Sequence, residues 1–220
     1  MNSRKCQKAF PITIGMNAID KLSEQFKRFP GIGPRQARRF VYHLLKQHTS
    51  DVDRLSESIK DLKKNIKVCS DSYYHFYANN PDETLSPIAR DPSRDDSVLM
   101  VLTSDTDLES VEKQGVFNGR YFVLGGLLGA LEEKPDEKIR SRELKKLIQK
   151  KAKNGLKEIV LALPINIDGE TTHNYIIGIL SPLKEKYSLN ISTLGRGLST
   201  GTELEYIDES TMRSAFENRR

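Results

Sequence analysis

The chain has 220 residues, enough for one large domain or two small ones with a substantial apolar core. Its 35 lysines and arginines exceed its 30 acidic residues, and the formal charge of +5 favours an anionic partner without requiring one. The two cysteines, Cys6 and Cys69, cannot form a disulfide framework, and no apolar run reaches the roughly 18 residues that cross a membrane. We therefore expect a cytoplasmic protein without a membrane partner.

Residues 1–16 are predicted to form a loose extension ahead of the first helix. Arg4, Lys5 and Lys8 resemble the charged start of a signal peptide, but no apolar segment follows them, so we predict no signal peptide. Met16 is a second candidate start of translation.

Residues 17–65 are predicted to be helical, because apolar residues recur there at helical spacing. The three apolar stripes are Ile19, Leu22, Phe26 and Phe29; Phe40, Val41, Leu44 and Leu45; and Leu55, Ile59, Leu62 and Ile66. Lysines occupy the opposite face of the helix that carries the third stripe.

The turn Gly31-Ile32-Gly33 comes directly before a helix that is predicted to begin at Pro34. A tight turn of this kind exposes backbone N–H groups at a helix N-terminus, where they suit a phosphate. Two interpretations remain open, a simple corner between two helices and a helix-hairpin-helix that binds a nucleic-acid backbone. The flanking charges favour the second interpretation. The candidate DNA-binding residues are Lys27, Arg28, Gly31, Gly33, Arg35, Arg38 and Arg39.

Residues 69–97 lack long periodicity and are predicted to form a small irregular module. The module contains Cys69 and an aromatic group at Tyr73, Tyr74, Phe76 and Tyr77. These rings either build a local core, which we favour, or stack on nucleic-acid bases.

From residue 98 onward strands and helices alternate, which predicts a parallel sheet with helices on its faces. The predicted strands are Val98–Leu102, Arg120–Leu124, Glu158–Leu163 and Asn190–Leu194, and the predicted helices are 106–114, 140–153 and Thr171–Lys186. The fold class is therefore α/β with an N-terminal all-α part. The glycine-rich segment 195–202 lacks the end of a P-loop, so we favour a turn or a subunit contact over a nucleotide site.

Four motifs, in order along the chain, resemble the RecR family of bacterial recombination mediators. They are Phe29–Pro34 with Ala37-Arg38-Arg39, then Gly119–Gly126, Asp168–Thr172 and Gly201–Asp208. The resemblance extends from about residue 17 to the C-terminus. It implies a helix-hairpin-helix domain at 17–68, a zinc-finger-like module at 69–97, a Toprim domain at 98–194 and a C-terminal tail at 195–220.

The resemblance also implies a function. RecR-like proteins are non-enzymatic DNA-repair proteins that assemble into ring-shaped tetramers and work with RecF and RecO on gapped DNA. We accordingly expect sequence-independent binding of gapped or duplex DNA, RecO-like and RecF-like partners, and a dimer or tetrameric ring in the bacterial cytosol or nucleoid. In the family an acidic surface of the Toprim domain docks partner proteins, and Asp168 and Glu170 are the candidates here.

The chain departs from the family at the zinc finger. The family has two C-x-x-C pairs, whereas this chain reads Cys69-Ser70-Asp71-Ser72 and Ser86-Pro87-Ile88-Ala89. One cysteine remains of four, and His75 does not complete a tetrahedral site. We predict that no zinc or other cofactor is bound and that burial of the aromatic group replaces the folding energy of the metal.

The Toprim region departs as well. Catalytic Toprim enzymes hold magnesium with a glutamate after the first strand and a later Asp-x-Asp pair. Here Thr103 takes the first position, and Pro164–Glu170 contains no Asp-x-Asp. Asp105 and Asp107 are interpreted as part of a solvated, helix-capping rim. We predict no catalytic residues and no metal site; the alternative is a Toprim-type nuclease or primase-like enzyme.

The helix predicted at 140–153 carries a basic cluster. Its members are Arg142, Lys145, Lys146, Lys150, Lys151 and Lys153. We favour a solvated face with buried side-chain stems over a phosphate contact.

Overall fold

The computed structural model describes residues 17–194 and the single residues 209, 212, 213 and 216. The predicted extension 1–16, the glycine-rich segment 195–202 and the motif Gly201–Asp208 lie outside the described residues. The chain divides into two compact units between Lys64 and Asn65.

The first unit is helical. It contains α1 (Ala18–Phe26), α2 (Pro34–Leu44) and most of α3 (Thr49–Asn65). Asn17 caps α1, where its side chain accepts a hydrogen bond of 2.9 Å from the backbone N–H of Asp20. The helices α1 and α2 pack together through Phe26 and Phe40, whose ring centroids lie 5.6 Å apart.

The third helix differs from α1 and α2 in that its apolar stripe faces outward. Within the described residues no side chain of α3 is buried, and Leu55, Ile59 and Leu62 are all exposed. Ile66, the predicted last member of this stripe, lies instead in a strand.

The second unit begins with a small module. β1 (Ile66–Val68) pairs antiparallel with β2 (His75–Tyr77), and the short helix α4 (Pro87–Arg90) follows. Ile66–Val68 fall within the interval 17–68 that the sequence assigned to the helix-hairpin-helix domain, and their pairing with β2 joins them to the module instead. The sequence did not reveal this strand pair because each strand has three residues, too few to show a period.

A four-stranded parallel sheet with the order β4-β3-β5-β6 forms the rest of the second unit. Its strands are β3 (Asp95–Leu102), β4 (Gly119–Val123), β5 (Glu158–Ala162) and β6 (Asn190–Thr193). Its helices are α5 (Asp105–Gln114), α6 (Pro135–Lys138), α7 (Ser141–Ala152) and α8 (Ile167–Tyr187). The predicted α/β class with an N-terminal helical part is confirmed.

Both faces of the sheet are covered, and the strand β3 accordingly ends in the continuous apolar run Val98–Leu102. Leu99 and Val101 of β3 point into a core shared with α7 and α8. Met100 and Leu102 point to the opposite face, where Leu108 of α5 packs.

Helix α8 begins four residues earlier than the sequence predicted. The side-chain oxygen of Asn166 accepts a 2.8 Å hydrogen bond from the backbone N–H of Gly169 and so caps the helix at Ile167. The early start places Asp168 and Glu170 in the first turn of α8.

Asp136 of α6 is a junction between three helices. It accepts hydrogen bonds from Arg142 Nε at 2.8 Å and Tyr175 Oη at 2.9 Å, and a third from the hydroxyl of Ser141. The bond from Ser141, with those from Arg142 and Tyr175, lowers the pKa of Asp136 from its ordinary value of 3.8 to about 2.

This depressed pKa predicts a pH dependence of stability. Its stabilising contribution is present above pH 3.8 and is lost as the pH falls towards 2, because the unfolded chain then binds a proton more readily than the folded chain. We expect Asp136→Asn to lower the urea midpoint at neutral pH and to differ less from wild type near pH 3. Asp82→Asn, which removes an exposed loop carboxylate, is the control. An Asp136→Asn deficit that stays constant with pH contradicts this assignment.

Candidate nucleic-acid interface

The turn between α1 and α2 requires a glycine at one of its two glycine positions. Gly31 has φ of +77°, a left-handed conformation that side chains other than glycine rarely adopt. The backbone N–H of Ile32 closes the turn on the carbonyl of Phe29 at 3.1 Å. Pro34 is the first residue of α2, as the sequence predicts.

The backbone conformation at position 33 does not require glycine. Its φ of −82° suits any residue, and a Cβ at this position would meet no other atom within 4 Å. Gly33 also offers no side chain to cap α2, so the first-turn N–H groups of Arg35 and Gln36 keep their hydrogen-bonding capacity for an outside acceptor. A bare backbone at a helix N-terminus allows close approach of an anion.

The five predicted cationic residues fall into two groups. Arg38 Nη2 donates to Asp20 Oδ1 at 2.8 Å, and Lys27 pairs with Glu24 at the same distance. The bond to Asp20 raises the pKa of Arg38. The second group consists of Arg28, Arg35 and Arg39, which have no ion-pair partner among the described residues and are all exposed.

Aromatic packing fixes the angle of the hairpin. Phe26 lies between Phe29, at 6.1 Å between ring centroids, and Phe40, at 5.6 Å. Ala37 and Val41 of α2 are buried, and Arg35 and Arg39 therefore lie on the exposed face of the helix.

A second group of predicted residues meets at the carboxyl edge of the sheet. β3 and β5 are neighbours there, although the chain leaves β3 to form β4 before it returns to form β5. In parallel α/β sheets such a switch point is the usual place for a functional site. The helices that follow these two strands begin with Asp105 and Asp107 in α5, and with Asp168 and Glu170 in α8.

The carboxylates of α5 are engaged within the protein. Asp107 accepts from the backbone N–H of Ser104 at 2.9 Å in a capping box. Asp105 accepts from the backbone N–H of His75 and contacts the Nδ1 atom of the same residue, both at 2.9 Å. The contacts of Asp107 agree with its interpretation as a capping residue, whereas the contacts of Asp105 go to His75 of β2 and not to the first turn of α5.

The carboxylates of α8 are exposed. Asp168 and Glu170 lie beside Ile165 and Ile167, whose side chains are 63% and 75% exposed. The two exposed isoleucines next to acidic groups make the start of α8 a candidate protein-docking surface.

Among the described residues, this edge has no glutamate directly after β3 and no Asp-x-Asp pair after β5. Thr103 follows β3, and its hydroxyl is buried without a hydrogen-bond partner among the described residues. No group of three or more His, Cys, Asp or Glu side chains in the described part of the chain could hold a metal ion.

None of the helices in residues 17–194 combines the length and apolarity needed to cross a bilayer.

Comparison with known proteins accounts for most of the chain. A family model named RecR, helix-hairpin-helix matches residues 19–63, a Toprim domain model matches 97–194, and a model named RecR, C-terminal matches 197–220. The chain is 35% identical to the Recombination protein RecR of Thermobifida fusca, over 92% of this chain and 96% of that protein. It is 34% identical to the protein of the same name in a Cyanothece species, over 94% and 98%. The corresponding protein of Chlorobaculum tepidum is 36% identical, over 92% and 96%.

The chain belongs to the RecR family of recombination proteins. The predicted helix-hairpin-helix and Toprim domains are thereby confirmed.

The resemblance to the RecR family implies a zinc finger, but three of its four cysteine positions hold other residue types in this chain. Its four ligand positions hold one thiol, two hydroxyls and one methyl group, at Cys69, Ser72, Ser86 and Ala89. This donor set does not fit zinc, which takes four thiolate, imidazole or carboxylate ligands.

The aromatic group of this RecR-family module does not form one cluster. Phe76 packs with Cys69 and Ala78 in a small core, and Tyr74 is partly buried against it. Tyr73 packs on Phe122 of the main core, at 5.3 Å between ring centroids.

The basic cluster on α7 is partly neutralised. Arg142 pairs with Asp136, and both Lys150 and Lys151 approach Asp71, at 3.6 and 3.9 Å. Lys145, Lys146 and Lys153 are exposed. The exposure of these three lysines agrees with the solvated interpretation of the helix face, whereas Arg142, Lys150 and Lys151 are held in ion pairs.

Thr172, the last residue of the motif Asp168–Thr172, is a positioning residue whose role the motif does not reveal. Its fully buried hydroxyl accepts from the backbone N–H of Leu128 at 2.8 Å and donates to the carbonyl of Asp168 at 2.6 Å. Thr172 thereby fixes the first turn of α8, which presents Asp168 and Glu170. Its role is not visible in the sequence, because both bonds go to backbone groups.

Proposed function

We propose that this protein binds DNA through the backbone of its helix-hairpin-helix, without reading sequence, and acts as a non-enzymatic mediator of DNA repair. The observation that carries the proposal is the bare backbone at Gly33 beside Arg28, Arg35 and Arg39, which are exposed and form no ion pair among the described residues. Membership of a family whose proteins are named for recombination supports it.

The proposed binding mode follows from the chemistry of the hairpin. The N–H groups at the start of α2 meet one phosphate, and the arginines meet its neighbours. Each of these contacts is made to a backbone group that every DNA sequence shares. Affinity should therefore fall steeply with salt and vary little with sequence.

Substitution of Arg35 and Arg39 tests the proposal directly. We expect the Arg35→Ala, Arg39→Ala double variant to bind a gapped duplex about tenfold or more weakly and to flatten the slope of log K against log salt by about two. Fluorescence anisotropy over a salt series measures both quantities. Arg54→Ala, which removes an exposed arginine of α3, is the matched control and should change neither.

Gly33→Ala separates binding from folding. Its backbone conformation accepts alanine and its Cβ would meet open space, so the folding cost we expect is that of alanine at an N-cap, about 1 kcal/mol or less, which lowers the thermal midpoint by a few degrees at most. The added methyl group would obstruct the approaching phosphate and lower DNA affinity. DNA binding that is unaffected by both Gly33→Ala and the double arginine variant rules out the hairpin as the interface.

Three further parts of the proposal rest on the family resemblance. The protein assembles into a dimer or tetrameric ring that encloses gapped or duplex DNA, which light scattering with and without DNA measures. Asp168 and Glu170, with the exposed Ile165 and Ile167, dock RecO-like or RecF-like repair proteins. The protein works in the bacterial cytosol or nucleoid.

The non-enzymatic part of the proposal is supported by Thr103 and by the engagement of Asp105 and Asp107 within the protein. Incubation of plasmid DNA with magnesium tests it, and we expect no cleavage. Cleavage that Asp168→Asn abolishes would show a Toprim-type enzyme instead.

A further inference from the structure

The four positions of the former zinc site still converge in space. Cys69 and Ser86 are fully buried, and Ser72 is nearly so. The backbone N–H of Ser86 donates to Cys69 Sγ at 3.3 Å, and Ala89 packs against the core that contains Cys69. Ser72 and Ala89 line the same small cavity, so the two C-x-x-C-like segments lie side by side.

The polar groups of this cluster are already satisfied by the protein. Ser86 Oγ accepts from the backbone N–H of Ala89 at 3.2 Å, and Ser72 Oγ accepts from that of Tyr74 at 3.4 Å. Burial opposes ionisation of the Cys69 thiol, but hydrogen bonds from Ser72 and Ser86 outweigh it and lower its pKa. Buried polar groups that find such partners avoid the cost of desolvation.

Strand β4 forms hydrogen bonds with both halves of the cluster: the first half contains Cys69 and Ser72, and the second contains Ser86 and Ala89. The backbone N–H of Val123 donates to the carbonyl of Ser72 at 2.8 Å, which secures the first half. Arg120 Nη1 donates to the carbonyl of Ala89 at 2.9 Å, which secures the second half. Zinc normally joins two such halves to each other, whereas here each half is joined to the same strand.

Further contacts tie the module to the sheet domain. Tyr74 Oη donates to Glu109 of α5 at 3.0 Å, and His75 contacts Asp105 of the same helix. Arg140 Nη1 donates to the carbonyl of Tyr73 at 3.3 Å. The module therefore has the means to fold against the sheet without a metal.

We propose that Cys69, Ser72, Ser86 and Ala89 form a metal-free knuckle that β4 holds in the geometry of a four-thiolate site. The module then folds without zinc, and three cysteines suffice to recreate the metal site. The relevant variant carries Ser72→Cys, Ser86→Cys and Ala89→Cys together with the native Cys69. The inference is independent of the proposed function, because it concerns folding and metal binding alone.

The first test uses the wild-type chain. Elemental analysis after purification in zinc-supplemented medium should find no stoichiometric zinc, and EDTA should leave the thermal midpoint unchanged. One zinc per chain, or a midpoint that EDTA lowers, overturns the metal-free assignment.

The second test uses the triple cysteine variant, with zinc and cobalt ions as probes. We expect it to bind one zinc per chain, to show the absorption bands of tetrahedral thiolate-bound cobalt, and to gain thermal stability on adding zinc. A control with the same number of thiols replaces the change at Ser72 by Ser70→Cys, at an exposed position, and should bind about tenfold or more weakly. A folded triple variant that binds zinc no better than this control overturns the retained geometry.

If the triple variant does not fold, a single substitution can still test whether positions 69 and 86 lie close together. In Ser86→Cys the introduced thiol lies against Cys69, so mild oxidation should join the two by a disulfide. The chain has two cysteines, so this variant has three thiols, and one should remain after oxidation. Three thiols that persist in the folded variant contradict the convergence of positions 69 and 86.

Discussion

Gly169→Ala is expected to destabilise the second unit by about 3–4 kcal/mol, the sum of an overpacking cost and the loss of a helix cap. A Cβ at this position would lie 1.9 Å from the carbonyl oxygen of Pro164 and 3.2 Å from the side-chain oxygen of Asn166. Because the first clash is with backbone, no rotamer change relieves it, and the segment from Pro164 to Asn166 must move. Urea unfolding followed by circular dichroism measures the change in the free energy of unfolding.

The same helix provides a matched control. Gly178 lies on the exposed side of α8, and a Cβ there would meet no other atom within 4 Å. Gly178→Ala should therefore stabilise the protein by about 0.5–1 kcal/mol through the higher helix propensity of alanine. Equal effects of the two substitutions would mean that the close approach of Gly169 to Pro164 is not a constraint on folding.

Arg94→Ala has the second largest expected effect. The guanidinium group, 11% exposed, donates to both carboxylate oxygens of Glu112, at 2.9 and 2.5 Å. It also lies 5.6 Å from the centre of the ring of Tyr121, whose hydroxyl donates to Glu112 at 2.5 Å. Burial opposes ionisation of Glu112, but the bonds from Arg94 and Tyr121 outweigh it and lower its pKa.

Removal of Arg94 leaves this carboxylate, 23% exposed, without its cation. We expect a loss of about 3 kcal/mol, as for other buried pairs that lose one partner. Lys134→Ala breaks the exposed pair with Glu137 and should fall within error of wild type in the same urea experiment. A double-mutant cycle with Glu112→Gln isolates the pair, and a coupling energy near zero would contradict the assignment.

The elements that carry a strong local signal could be predicted from the sequence. Gly31 and Pro34 mark the hairpin because left-handed backbone and the first helical position each favour one residue type. The apolar run Val98–Leu102, buried from Leu99 onward, marks a parallel strand because both of its faces are covered.

Features that depend on residues distant in the chain could not be predicted. Arg38 was grouped with the other arginines, since nothing near it in sequence reveals the ion pair with Asp20. The strand pairing of Ile66–Val68 and the buried role of Thr172 depend on partners that only the fold brings together. The family resemblance supplied the zinc positions, but the bonds of Ser72 and Ala89 to β4 are visible only in three dimensions.

The strand order has a kinetic consequence. β3 pairs with β5 between Val98 and Glu158, so the centre of the sheet cannot form until a long intervening loop has closed. The helices α1 and α2 are joined by a short turn and meet through contacts that are close in sequence. Because local contacts form faster than distant ones, the helical hairpin should reach its native form well before the sheet does during refolding.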